Sequence, residues 1–181
     1  GNYTVTVTSN NGCKNTATGV LTVNALPTVS VNNASICTGD PAATFTATTN
    51  ASSPSYVWSG NGTGTGSSTT GTAAGNYTVT VTSNNGCKNT ATGVLTVNAL
   101  PTVSVNSASI CTGDPAATFT ATTNASSPSY VWSGNGTGTG SSTTGTTAGN
   151  YTVTVTSNNG CKNTATGVLT VKNKPFLSID N

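Results

Sequence analysis

The segment GNYTVTVTSNNGCKNTATGVLTV begins at Gly1, again at Gly75 and again at Gly149, so the chain repeats every 74 residues. Residues 27–100 and 101–174 align without a gap and differ at five positions: Asn33/Ser107, Ala73/Thr147, Asn98/Lys172, Ala99/Asn173 and Leu100/Lys174. Solenoid repeats run to roughly 20–45 residues, so a period this long predicts a small domain that folds by itself. Leu100-Pro101 marks the boundary. The expected domains are therefore 27–100 and 101–174, flanked by 1–26 as the last two strands of a repeat and by 175–181, PFLSIDN, as the start of another. Two strands alone leave an open edge and an apolar face. Residues 1–26 are expected to be completed either by preceding chain or by strand addition from another subunit.

Within a repeat the local signals are those of strands. Tyr77, Val79 and Val81 alternate with Thr78, Thr80 and Thr82, a period of two that buries one face. Asn84-Asn85-Gly86 reads as a hairpin turn, and the return strand runs from about Cys87 to Val97 with Gly93 as a bulge. Further alternating runs carry Val29 and Val31, Phe45 and Ala47, and Tyr56 and Trp58, whereas Gly62–Gly71 holds only Gly, Ser and Thr and reads as short strands or loops. About seven short strands and no helical period predict an all-β fold of tandem antiparallel sandwiches. The expected core is Val29, Val31, Ile36, Phe45, Ala47, Tyr56, Trp58, Tyr77, Val79, Val81, Leu95 and Val97, with Tyr130, Trp132 and Tyr151 as the aromatic counterparts in the second repeat. A core this thin gains from a covalent staple.

Cysteine supplies one. Cys13, Cys87 and Cys161 share one repeat position, and Cys37 and Cys111 share the other. Pairing within each complete repeat gives Cys37–Cys87 and Cys111–Cys161, with Cys13 unpaired in this chain. Each bond would close a loop worth about 4 kcal/mol in the chain-entropy model and would imply an oxidising, extracellular setting. Zinc wants four ligands, and a repeat offers two cysteines and no histidine.

In order, Ser35-Ile36-Cys37-x-Gly39-Asp40, Tyr56-Val57-Trp58-Ser59, Gly75-Asn76-Tyr77-Thr78-Val79-Thr80-Val81 and Asn85-Gly86-Cys87 occur in one repeat and recur in the next. This order resembles the PKD-like and immunoglobulin-like repeats of giant secreted surface proteins, above all those of the Bacteroidetes type. The resemblance spans essentially the whole chain. It implies tandem immunoglobulin-like domains in an extended extracellular array used as stalk, adhesin or surface filament, with export commonly by the type IX system. The sequence departs from the PKD pattern after Trp58, where Ser-Gly-Asn-Gly replaces an acidic turn. Gly75-x-Tyr77 resembles the tyrosine corner of immunoglobulin domains, and Trp58 and Trp132 would pack opposite the disulfide as in related sandwiches.

Lysine and aspartate are the only charged residues, five and three of them, and His, Glu, Arg, Met and Gln are absent. Nucleic-acid binding needs clustered basic residues, and no such cluster exists. No apolar run is long enough for membrane insertion. General acid–base catalysis needs His or paired carboxylates; each complete repeat has one carboxylate, Asp40 or Asp114, in a Thr-Gly-Asp-Pro turn. No catalytic residue, metal site or cofactor is therefore expected. Calcium wants six to eight oxygens, several from carboxylates, and Gly62-x-Gly64-x-Gly66 lacks the lysine and helix of a phosphate loop.

Asp40 with Lys88, and Asp114 with Lys162, are candidate ion pairs brought close by the expected disulfides, or sites of an isopeptide bond. Asn50, Asn61 and Asn76 open glycosylation sequons. Thr78, Thr80 and Thr82 form a hydroxyl ladder that suits a solvent-facing strand and could also meet ice or sugar. The short Pro-containing junction at 97–103 predicts a stiff array adding roughly 30–40 Å per domain. The expected function is an extracellular structural repeat, partnered by its own kind in a filament. The second reading is a binding module with one weak polysaccharide site per repeat.

Overall fold

The computed structural model describes residues 1–177. The expected start of a further repeat at 175–181 falls largely outside the described residues. The described residues form sixteen strands. They are β1 (Asn2–Thr8), β2 (Lys14–Val20), β3 (Val29–Val31), β4 (Ala34–Cys37), β5 (Ala43–Thr49), β6 (Ser55–Gly60), β7 (Ser68–Gly71), β8 (Gly75–Thr82) and β9 (Lys88–Asn98). The same order recurs as β10 (Val103–Val105), β11 (Ala108–Cys111), β12 (Ala117–Thr123), β13 (Ser129–Gly134), β14 (Ser142–Gly145), β15 (Gly149–Thr156) and β16 (Lys162–Lys172). Contacts divide the chain into two compact units, Gly1–Ala34 with Ala42–Leu95, and Ser35–Pro41 with Thr96–Asn181.

The second unit contains a complete two-sheet sandwich. One sheet has the order β10-β12-β14 and the other β11-β16-β15-β13. Alternation in β15 sends Tyr151, Val153 and Val155 inward, where each is fully buried, and leaves Thr152, Thr154 and Thr156 half-buried on the other face. They meet Phe119, Ala121, Trp132 and Leu169, and Tyr130 packs partly buried against the same cluster. The Phe119 and Tyr151 rings stack at 4.1 Å between centroids, 7° from parallel, which fixes the two sheets against each other.

Among the described residues every buried side-chain nitrogen and oxygen is partnered, as a water-free interior requires. Trp132 Nε1 donates to Gly140 O at 2.9 Å and Tyr151 Oη to Thr147 O at 2.9 Å. The first bond ties the Gly/Ser/Thr-rich loop to the core; the second is the hydroxyl-to-upstream-carbonyl contact of a tyrosine corner. The paired residues Ala73 and Thr147 differ without consequence there, because the acceptor is the backbone oxygen in both repeats.

The opening strand of each sandwich is split between sheets. β10 pairs antiparallel with β12, but β11 pairs parallel with β16, a departure from the antiparallel pattern. Asn106 holds the crossing point: its Nδ2 donates to Thr118 O at 2.9 Å and its Oδ1 accepts from Thr120 N at 2.7 Å. Its own carbonyl then presses on β16 at Gly167, where a Cβ would lie 2.2 Å from Asn106 O. The matching Gly93 is therefore no bulge. The β8–β9 register runs unbroken through Tyr77↔Gly93, and glycine is needed because Asn32 O comes equally close.

In the first repeat one sheet has the order β3-β5-β7 and the other β4-β9-β8-β6. Phe45, Ala47, Trp58, Tyr77, Val79, Val81 and Leu95 are buried, while Val29, Val31, Tyr56 and Val97 of the expected core are half-buried. β1 and β2 form a separate two-stranded sheet in the register Tyr3↔Gly19 and Val5↔Ala17. Its apolar residues are bare: Tyr3 is 64% exposed, against 1% for Tyr77 at the same repeat position.

Candidate functional site

Chemistry-bearing side chains gather where β11 ends. Cys111 closes that strand and is followed by a tight turn in which Asp114 N donates to Cys111 O at 3.0 Å. Gly113 has φ +85°, the left-handed conformation that the third position of a type II turn demands. The Asp114 carboxylate folds back so that Oδ2 accepts from Cys111 N at 2.8 Å, and Oδ1 lies 3.1 Å from Lys174 Nζ. At the equivalent turn Asp40 Oδ2 accepts from Cys37 N at 2.8 Å, and Thr38 N and Oγ1 both donate to Asn98 O. Aspartate here is a turn-forming residue that holds the backbone N–H of the preceding cysteine in both repeats.

The cysteines do not pair as the repeat count implied. The disulfide joins Cys37 to Cys161, with Cα atoms 5.6 Å apart and a sequence separation of 124. Cys13, Cys87 and Cys111 are free thiols. The expected Cys37–Cys87 and Cys111–Cys161 bonds fail for a geometric reason. Cys111 stands opposite Lys172, at the far end of β16, whereas Cys161 immediately precedes Lys162, its first residue. An 11-residue strand at ~3.3 Å per residue puts over ~30 Å between them, and a disulfide tolerates Cα separations up to about 7 Å. Cys87 likewise precedes the 11-residue β9. Each repeat therefore carries its two cysteines at opposite ends.

The expected ion pairs fail on the same geometry. Lys162 begins β16 while Asp114 lies beyond its end, and the ion pair found among the described residues is Asp114 with Lys174. Lys88 begins β9 as Lys162 begins β16, and Asp40 is held by Cys37 N instead. Both isopeptide candidates are excluded with them. Lys174 replaces the Leu100 of the preceding repeat, so this ion pair belongs to one repeat alone.

Two contacts hold the Asp114 carboxyl below the usual carboxylate range: the Cys111 N–H first, and the Lys174 ammonium second. A depressed folded-state value stabilises the fold above the ordinary carboxylate pKa of about 4, and the contribution disappears as pH falls through the folded value. Carboxyl NMR titration should show Asp114 ionising below that reference, and Lys174→Leu should move it partway back. Titration at the ordinary value in the unaltered protein would contradict this geometry.

Among the described residues no three of His, Cys, Asp and Glu cluster as metal ligands would. The threonine ladder bonds to itself, Thr78 Oγ1 to Thr92 Oγ1 and Thr152 Oγ1 to Thr166 Oγ1, each at 2.8 Å. A shallow groove lined by Thr28, Val29, Ser30, Thr48, Thr49 and Asn50 has an equivalent in the second unit. Trp58 and Trp132 are 5% exposed and offer no stacking face.

The arrangement of seven strands in two sheets is shared with proteins of known structure. An adhesin described as Ca2+-stabilized, with which an Antarctic bacterium reaches out and binds ice, matches 96% of this chain at 20% identity with a TM-score of 0.57. A 1.5-MDa bacterial ice-binding adhesin, studied for its retention at the host cell surface, matches 96% at 18% identity with a TM-score of 0.52. The fold is that of tandem immunoglobulin-like domains. The chain covers 56% of the first adhesin structure and 74% of the second. An I-band fragment of titin is similar over 83% of the chain, at 16% identity and a TM-score of 0.45, and covers 67% of that fragment's length. No family model and no curated protein sequence matches the chain.

Sequence reasoning missed the Cys37–Cys161 bond because it counted cysteines per repeat and found an even number. The signal was nonetheless present: one cysteine follows a hairpin turn and the other precedes a Gly-Asp turn, which assigns them to opposite ends of a long strand.

Proposed function

We propose that this chain is part of an extracellular structural array, a stalk, adhesin spacer or surface filament of PKD-like immunoglobulin domains framed at 27–100 and 101–174, and that it has no catalytic role. The observation that carries this reading is repetition without a convergent site. Two successive repeats bury the same residues, Phe45, Trp58, Tyr77 and Leu95 in one and Phe119, Trp132, Tyr151 and Leu169 in the other. The carboxylates among the described residues, Asp40 and Asp114, are both engaged in turns. The disulfide supports an oxidising, extracellular location. Likeness in fold to bacterial surface adhesins supports the same setting. The reading includes self-association through a neutral Thr/Ser/Asn surface, with no role for nucleic acid or for insertion into a membrane.

Light scattering across a salt series tests the self-association. Contacts made of neutral hydrogen bonds should persist from about 0.05 to 1 M salt, where the screening length shrinks from over ~10 Å to ~3 Å. Dissociation by salt would refute a charge-free interface. One observation favours a second reading, a weak carbohydrate-binding module: the groove beside Thr28 and Thr48 recurs beside Thr102 and Thr122. A glycan array decides between them, since a spacer retains no sugar, whereas a binding module would retain one that Thr48→Tyr and Thr122→Tyr displace.

A further inference from the structure

We infer that the Cys37–Cys161 bond is one step of a ladder, and that Cys87 and Cys111 are attachment points for the same bond to neighbouring copies of the repeat. The bond runs from the strand-end cysteine of one sequence repeat to the hairpin-tip cysteine of the next. Cys111 occupies the strand-end position and is a half-buried free thiol, in the same turn with the same Asp-to-backbone contact as Cys37. Cys87 occupies the hairpin-tip position, and its surroundings are already built. Its Sγ lies 3.8 Å from Asn24 O, as the bonded Cys161 Sγ lies 4.0 Å from Asn98 O, and Asn24 and Asn98 share one repeat position. By the same pattern the partner would be a hairpin-tip cysteine of a neighbouring copy for Cys111 and a strand-end cysteine of a neighbouring copy for Cys87.

The chemistry is thiol–disulfide exchange with a disulfide-donor oxidant, either a small disulfide or a dithiol oxidase. One cysteine thiolate attacks one donor sulfur and displaces the other, giving a mixed disulfide, and the second cysteine thiolate displaces the remaining donor sulfur from it. One S–S bond forms in the protein, one is lost in the donor, and the two thiol protons pass to the donor's two sulfurs. The result is a covalent path beside the main chain, in which each repeat is bonded to the one before at one end and to the one after at the other. This holds whatever the array attaches to.

The test is a tandem duplication of residues 101–174 within the full chain, refolded in a glutathione redox buffer, alkylated and weighed intact. The parent carries three free thiols. The extended chain gains two cysteines and should take up the same number of labels as the parent, because Cys111 bonds the hairpin tip of the added copy. Cys111→Ser in that background should add one label. Two further labels on the extended chain, or one fewer on Cys111→Ser, would overturn the ladder. In the parent, Cys161→Ser should add one label and Cys87→Ser remove one; a label gained on Cys87→Ser would mean that Cys37 bonds within its own repeat and would overturn the inference independently of the extended chain.

Discussion

Gly167→Ala is expected to destabilise the second unit by about 3–5 kcal/mol, at the upper end of what a single substitution does. The added methyl would lie 2.2 Å from Asn106 O, 2.8 Å from Val105 Cγ1 and 3.0 Å from Phe119 Cδ1. A flexible side chain could move aside, but the nearest atom is a backbone oxygen. Its residue is pinned on both sides by the Asn106 side-chain bonds to Thr118 and Thr120. Relief would require moving the crossing point of the split strand away from β16, which would also loosen the stacked Phe119 and Tyr151. Small domains have roughly 5–15 kcal/mol of stability to lose, so the variant should melt far earlier or fail to fold. Gly140→Ala is the control: its Cβ would meet nothing closer than 3.6 Å, and a change within about 1 kcal/mol is expected. Urea unfolding followed by Trp132 fluorescence, in a Trp58→Phe background, reads the second unit alone. Equal midpoints for the two variants would show that the close approach carries no cost.

Loss of the disulfide should have an effect of similar size. Cys161→Ser removes a cross-link spanning 124 residues of sequence, and the chain-entropy model assigns a loop of that length about 5 kcal/mol. The energy acts on the unfolded state, so the native strands should remain while the urea midpoint falls. Cys161 is also fully buried, so its serine replacement buries a hydroxyl where the sulfur stood and adds to the loss. Cys87→Ser, which removes a free thiol, should leave the midpoint unchanged. If the two variants matched, the bond would contribute nothing to stability, and its value would have to be sought in mechanical continuity instead.

Much of the fold follows from local pattern. The Thr/Val alternation in GNYTVTVT fixes a strand with one inward face, since successive side chains leave opposite sides of the backbone. Asn-Asn-Gly supplies the positive φ that turns the chain back. The Gly62–Gly71 stretch has no apolar alternation to read, and its one strand, β7, is organised from outside, by pairing with β5 and by Trp58 Nε1 donating to Gly66 O. The roles of Gly93 and Gly167 were likewise hidden. A bulge and a close backbone approach leave the same glycine in a strand pattern, and only the position of Asn32 or Asn106 across the sandwich separates them.

The first site residues divide along the same line. That Asp40 and Asp114 shape turns was legible in Thr-Gly-Asp-Pro, because an aspartate oxygen reaches backbone amides two or three residues away. Which cysteine meets which was not, because pairing depends on which strand ends coincide in space, and composition counts do not carry that information. Asn33 and Ser107 show the converse. The sequence marks them as a difference, yet Asn33 Oδ1 and Ser107 Oγ accept from Val94 N and Val168 N at 2.8 and 3.0 Å, so two side chains do one task.

The sequence by itself determined where strands form and which face of each is apolar, because both depend on the two-residue alternation of the extended backbone. Tertiary structure alone decided whether that face is covered. Tyr3, Val5 and Val7 form the same strand as Tyr77, Val79 and Val81, paired in the same register, yet they are 64%, 59% and 64% exposed against 1%, 0% and 0%. Pairing with the return strand is a local event within a hairpin. Burial needs a second sheet carrying a phenylalanine like Phe45, which only residues distant in the chain can supply.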